Sequence, residues 1–343
     1  MKKAKLLLSS LIVLTGMLVV GTTHTAYAAE KGKDEGWDVP NIALGNGLTE
    51  AEKQQTTDIL MKDLNKISDL KGVDTTKHNT VVVHGNDLVK YVTDVPEFTA
   101  SSKAYSSAFI VRTKSGSGVN VDIVTPNNIT ARTEAMYRSA AITSGVYDAY
   151  IRIGSVRTMD GSGALAGIYK IYDEVAPAEN NKEQTQRDEK RAVAQEQMKV
   201  VSDIDNQNKD NKDYSSENIL VMLADIQMEL QKINDKLKNA PADEVQTQVE
   251  EVVTNQIDKN GLTEAITPEL KTEIVNNMVN FTNTGAITDN QLTKQLTNFK
   301  DDLVKNGSEF KSNLLSDENV EKAKSGASGL WQSIKDFFSS LFN

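Results

Sequence analysis

Gly161-Ser162-Gly163 stands between a strand-like and a helix-like segment, with Gly167 four residues further on. Backbone N–H groups at a helix start can hold an anion, and glycine lets the anion come close. Five arginines, Arg112, Arg132, Arg138, Arg152 and Arg157, crowd into the same region. Guanidinium groups grip carboxylate and phosphate through a planar fork. Gly161, Ser162, Gly163, Arg112 and Arg152 therefore form the candidate anion site, suited to an anionic envelope polymer or a peptide carboxylate. A plainer reading competes. The glycines make a tight turn, Ala164 and Gly167 let a helix pack close to a sheet, and the arginines are solvated strand edges. The spacing is not G-x-G-x-x-G, which weighs toward that plainer reading.

Other chemistry has little to work with. Beyond the first 28 residues the histidines are His78 and His84, with no H-E-x-x-H spacing for a metal. No G-x-S-x-G elbow presents a serine nucleophile, and Ser117 lies in a Gly/Ser turn. The carboxylates are too numerous for an acid/base pair to be picked out. No catalytic residue, metal ligand or cofactor is assigned.

The elements that must position these residues lie between Ala104 and Val175. Ser106-Ser107-Ala108-Phe109-Ile110-Val111 is a largely apolar run, as in a strand covered on both faces. Val119, Val121 and Ile123 alternate with polar residues, the period of a half-buried strand. The turn Lys114-Ser115-Gly116-Ser117-Gly118 between them predicts an antiparallel hairpin. Thr133 and Glu134 start a helix with Met136, Tyr137, Ala140 and Ala141 on its apolar face, and Gly145 ends it. Ala149, Ile151 and Ile153 give another strand and place Arg152 on its opposite side. Ser162 is read as the cap of a second helix bearing Leu165, Ile168, Tyr169 and Tyr172.

Upstream, Thr49-Glu50-Ala51-Glu52 is a capping box. Short strands are expected at 37–44 and 80–84, with a short helix from Asn86 or Asp87 to Val92. The order of Ala43-Leu44-Gly45 with Leu48-Thr49, Ser106-Ser107-Ala108, Gly116-Ser117-Gly118-Val119, Asn128-Ile129-Thr130, Met136-Tyr137 and Gly163-Ala164-Leu165-Ala166-Gly167-Ile168 carries a resemblance. It resembles the YpuA-like family of secreted proteins of Gram-positive bacteria, domain of unknown function 1002, over most of 37–175. The resemblance implies an extracellular location and a shared architecture. It brings no catalytic residue with it.

Lys2, Lys3 and Lys5, an apolar run over 6–20 and Ala26-Tyr27-Ala28 make the three parts of a secretory signal peptide. Cleavage is expected between Ala28 and Ala29. The chain has no cysteine, so no disulfide or thioether-linked lipid holds it. Its net charge of −10 becomes −13 once the three signal lysines are removed. Such a chain repels phosphate backbones, which excludes nucleic acid as a partner.

After Pro177 the composition turns polar. Residues 177–216 read as a linker, within which 183–201 can form a helix. Ile219, Leu223, Ile226, Leu230, Ile233 and Leu237 then form a heptad seam. Pro241, Thr267-Pro268 and Asp289 punctuate further helices, a bundle or hairpins over 217–325. Leu330, Trp331, Ile334, Phe337, Phe338 and Leu341 fall on one side of a terminal amphipathic segment at 326–343. That face would serve a membrane surface, a partner or its own bundle; with Lys335 the only cation on the polar side, a lipid role is the weaker reading.

The fold expected is α+β: a signal peptide (1–28), a mobile lead (29–36), a mixed sheet packed with helices (37–176), then a separate all-α tail. The function expected is a secreted, non-enzymatic binding protein of the cell envelope, with an unidentified envelope or protein partner. The rivals are a secreted hydrolase centred on the Gly161 turn and a membrane-surface protein using the C-terminal segment.

Overall fold

The computed structural model describes residues 36–176, 178, 180–211 and 214–306. The signal peptide with its Ala28–Ala29 cleavage point, the lead at 29–35 and the C-terminal face from Leu330 to Leu341 lie outside the described residues.

Five strands form one mixed sheet: β1 (Asn41–Gly45), β2 (Asn79–Val83), β3 (Ser107–Arg112), β4 (Val119–Ile123) and β5 (Ala149–Gly154), in the order β2-β1-β3-β5-β4. β1 runs parallel to β2 and β4 parallel to β5; β3 is antiparallel to both β1 and β5. The apolar runs take the centre, because β3 and β5 are covered on both faces. β4 keeps its alternation and takes an edge.

The hairpin expected between β3 and β4 does not form, since β5 lies between them. Gly116 and Gly118 do adopt positive φ (86° and 78°), so the turn itself is read correctly. What holds its two arms apart is Asp148, itself at φ 50°. Its carbonyl accepts from Thr113 N–H at 2.7 Å and its carboxylate from Gly118 N–H at 2.9 Å. Ala149 N–H then donates to the Gly118 carbonyl at 3.1 Å.

One face of the sheet, with Ile42, Leu44, Phe109, Val111 and Tyr150, packs under α1 (Glu50–Met61) and the turns around Leu64 and Leu70. The Thr49 capping box is present, with Thr49 N–H donating to Glu52 at 2.8 Å. The other face, with Ala43, Ala108, Ile110, Ile151 and Ile153, is covered by α2 (Gly85–Tyr91), α3 (Glu134–Thr143) and α4 (Ser162–Val175). Thr133 caps α3, and Gly145 follows its end at φ 92°. Gly167 permits the close approach of α4: a Cβ there would stand 2.6 Å from that of Ala43.

The chain continues through α5 (Asn181–Asn208), α6 (Ser216–Lys232), α7 (Asn234–Lys238), α8 (Ala242–Lys259), α9 (Pro268–Thr282) and α10 (Asn290–Asn306). The helix expected at 183–201 within the linker is α5, which runs longer and packs into the core, so 177–216 is largely helix. Its apolar stripe, Val193, Ala194, Met198, Val201 and Ile204, is buried. Even its polar end is used: Asn208 donates to the Ala265 carbonyl at 2.8 Å. A buried polar chain ties three helices together, with Gln197 on α5 donating to Ser139 on α3 at 2.9 Å and accepting from Gln227 on α6 at 3.1 Å. The heptad seam is likewise spent inside the molecule. Ile219, Leu223, Ile226 and Leu230 are buried in α6, which ends at Lys232 with Ile233 as its cap. One apolar cluster runs from Ala108 and Ile151 on the sheet to Leu223, Phe281 and Phe299. The sheet and the helices after it thus share a core.

Candidate functional site

The turn singled out in the sequence is a structural joint. Gly161, at φ 99°, precedes the first turn of α4, and a Cβ on it would lie 2.2 Å from the Tyr137 hydroxyl. That hydroxyl donates to the Gly161 carbonyl at 2.9 Å. Ser162 is inside the helix and does not cap it. Its N–H and hydroxyl both donate to Asp160, at 3.0 and 2.5 Å. Ala164 N–H donates to Ser106 Oγ at 3.0 Å. The positive end of α4 is thus filled by the chain's own carboxylate.

The arginine that reaches this turn is Arg132. Its Nη2 lies 3.2 Å from Ser162 Oγ and 2.8 Å from the Asp94 carboxylate. Burial opposes its charge, but Asp94, Tyr137 and Asp160 outweigh burial and hold the guanidinium above its ordinary value. With two carboxylates around one cation, the cluster has no spare positive charge for an incoming anion. Burial also pushes the Tyr137 hydroxyl well above the usual tyrosine range.

The other four arginines go elsewhere, each to its own acceptor. Arg112 pairs with Asp38 at 2.6 Å. Arg138, on α3, pairs with Asp302 of α10 at 2.5 Å and lies over Phe299. Arg152 is on the α1 face of the sheet and donates to the Leu60 and Lys62 carbonyls at 3.1 and 2.5 Å, closing the end of α1. Arg157 clasps Glu52 through two bonds of 2.7 and 2.9 Å, holding its carboxyl down to about 2. The solvated-edge reading also fails for Arg132, Arg138 and Arg152, which are buried. Arg112 ends β3 while Ser162 adjoins its start, so the two are separated by about 17 Å of strand. Arg152 stands on the opposite face. Gly161, Ser162, Gly163, Arg112 and Arg152 therefore do not make one site.

Arg112 instead stands on a cleft of about 930 Å³, within the range of small-ligand sites. Four elements frame it. The first is the start of the described chain, where Trp37 packs on Tyr172 of α4 with ring centroids 5.5 Å apart. The second is the β3–β4 turn with Lys114, and Asp148 before β5, which bonds to it. The third is the loop with Asp69, Lys71 and Asp74, and the fourth is the first turns of α5, which bring Glu183 and Arg187 to the wall. Arg187 lies 4.9 Å over the Tyr172 ring and pairs with Glu183 at 2.6 Å.

The acids of this cleft are already engaged. Asp38 holds Arg112, Glu183 holds Arg187, and Asp148 accepts from Gly118 and Gln295. Asp69 accepts from Asn120 at 2.8 Å. Asp74 accepts from the Thr76 hydroxyl and N–H, which keeps its carboxyl below the ordinary range. The cations are less committed. Lys71 and Lys114, both exposed, form no ion pair among the described residues. These two lysines can therefore offer charge-assisted donors to a carboxylate, on a lining whose five acids and four bases leave it one charge negative. Reading the sequence singled out Arg112 but missed Lys71 and Arg187, the latter because it lay in the supposed linker. His78 and His84 are kept apart by the length of β2.

Comparisons with known proteins agree on one family. The chain is 26% identical over 268 residues to the "Uncharacterized protein YpuA" of Bacillus subtilis (strain 168), covering 77% of this chain and 79% of that protein. No solved structure matches. The family described as "Protein of unknown function (DUF1002)" matches residues 44–299, which takes in β1 and runs through the helices into α10. A match over that much of the 343 residues settles membership: the chain belongs to the DUF1002 family.

Proposed function

We propose that this chain is a secreted, non-enzymatic binding protein of the bacterial cell envelope, and that the cleft at the end of β3 holds its ligand. The ligand is a short peptide, or a polymer bearing peptides, with free carboxylates. The observation that carries this reading is the asymmetry of the cleft. Its carboxylates are engaged by the protein, while Lys71 and Lys114 are not paired among the described residues. A hydrolase would need a nucleophile and an anion grip in one pocket, and Ser162 is turned toward Asp160 at the far end of β3.

Export supports the envelope setting through the signal-peptide pattern at 1–28 and the absence of cysteine. The test is retention of the protein on cell-wall fragments from the producing bacterium, before and after their carboxylates are amidated. The expected result is retention that amidation abolishes and that Lys71→Glu with Lys114→Glu weakens at least tenfold. No retention, or retention indifferent to both changes, rejects the proposal.

A further inference from the structure

β2 is an edge strand, and its hydrogen-bonding phase can be read from two bonds. Asn79 N–H donates to the Pro40 carbonyl and Asn46 N–H to the Val83 carbonyl, both at 2.9 Å. In a parallel ladder alternate residues face the neighbour. Asn79, Val81 and Val83 therefore bond to β1, and the N–H and C=O groups of Thr80 and Val82 point outward. Among the described residues, no loop, helix or side chain donates to or accepts from those four groups. Cover begins only at His84, which bridges to Lys103. The strand Asn79-Thr80-Val81-Val82-Val83 carries no charge, proline or bulge, the usual devices that protect an edge.

We infer that β2 is the pairing edge for a second copy of this chain, joined antiparallel about an axis through Val81. The strand is its own complement. The outward groups flank Val81 symmetrically, so Thr80 of one copy meets Val82 of the other and all four outward groups on each copy find partners. The axis stands normal to the sheet, so each face continues into the same face of the second copy. Val81 meets Val81 on the helix side, where it already packs against the main core. Thr80 meets Val82 on the other side; β-branched neighbours of this kind stabilise sheet pairs. A neutral strand brings no like charges together at the axis, despite the net charge of −10. Val89, 49% exposed, is the one large apolar side chain left open among the described residues, and it lies on α2 directly after β2. A contact of this size makes a weak, concentration-dependent dimer.

The chain's lack of cysteine makes the test direct. Val81 is a non-hydrogen-bonded position of the inferred pair, where Cα atoms stand about 4.5 Å apart, within reach of a disulfide. Under mild oxidation the full chain carrying Val81→Cys should cross-link to a dimer much faster than Thr80→Cys, whose copies are offset along the strand. Sedimentation of the unmodified protein should show monomer giving way to dimer as concentration rises. Thr80→Pro should abolish this while leaving the fold intact, because the lost N–H faces outward. A protein that stays monomeric at every concentration overturns the inference, as does equal cross-linking at the two positions. An edge used by another protein's strand would give those same results and would equally refute self-pairing.

Discussion

Arg132 and Asp94 meet at 2.8 Å with side chains only 3% and 5% exposed. They join two loops that the chain separates by 38 residues. Asp94 also accepts from Ser202 on α5 at 3.1 Å, so the pair fastens the helical half to the sheet half. A buried pair of this kind adds little against a well-packed apolar replacement, but removing one partner strands the other charge.

Arg132→Met should therefore destabilise the protein by about 3–5 kcal/mol, measured as a lower urea midpoint with an unchanged slope. Asp94→Leu should also destabilise it. The double variant should lose clearly less than the sum of the two, because neither charge is left alone. Additive losses would show that the two residues are not coupled.

A second prediction concerns pH. Asp205 on α5 is pushed up to about 7, chiefly by burial, with the Tyr214 hydrogen bond opposing and the nearby Glu217 adding to the rise. The folded state then holds a proton that the unfolded chain releases near 3.8. The stability linked to this group is complete below that value and is lost as pH rises through about 7. Asp205→Asn cannot ionise and still accepts from Tyr214. It should leave stability unchanged at pH 4 and raise it at pH 8, as read from urea midpoints at the two values. A gain of equal size at both pH values would remove the titration from the explanation.

Gly167 supplies a third. Alanine is favoured over glycine in a helix by about 1 kcal/mol, but here its Cβ would meet that of Ala43 at 2.6 Å. Crowding of that order costs about 1–3 kcal/mol, so Gly167→Ala should lower the melting temperature. Adding Ala43→Gly should restore part of the loss by reopening the contact between α4 and β1. If Gly167→Ala alone is stabilising, the close approach is not what the glycine serves.

The contrast between these residues explains what the sequence discloses. Capping boxes at Thr49, the start of α3 at Thr133 and the role of Gly167 rest on neighbours within a few positions, and they are legible. So are β3 and β5, whose β-branched and aromatic runs mark central strands. The pairing of β3 with β5 is not legible, because nothing local to Lys114 or Gly118 announces that Asp148 will insert between the arms. The partners of the arginines are hidden for the same reason. Arg138 and Asp302 lie 164 residues apart in the chain, and their pairing is a property of the assembled core. A helix over 183–201 is legible, but its packing is not, because the many Asp, Asn, Gln and Lys residues of α5 hide the stripe from Val193 to Ile204 that the core buries. The cleft combines both difficulties, since its walls come from four distant segments.

The cleft itself yields the last prediction. If Lys71 and Lys114 present free ammonium groups to a carboxylate ligand, each exposed contact is worth about 0.2–1 kcal/mol. Removing one by Lys114→Ala should weaken binding of cell-wall fragments by up to about fivefold, since 1.4 kcal/mol is a factor of ten. Stability should scarcely change, because Lys114 forms no ion pair among the described residues. Raising ionic strength should weaken the unmodified protein's binding more steeply than that of the variant, because partly exposed charges are screened over about 8 Å at physiological salt. Binding that keeps the same salt dependence in both proteins would assign the affinity to some other surface and leave the lysine without a part in it.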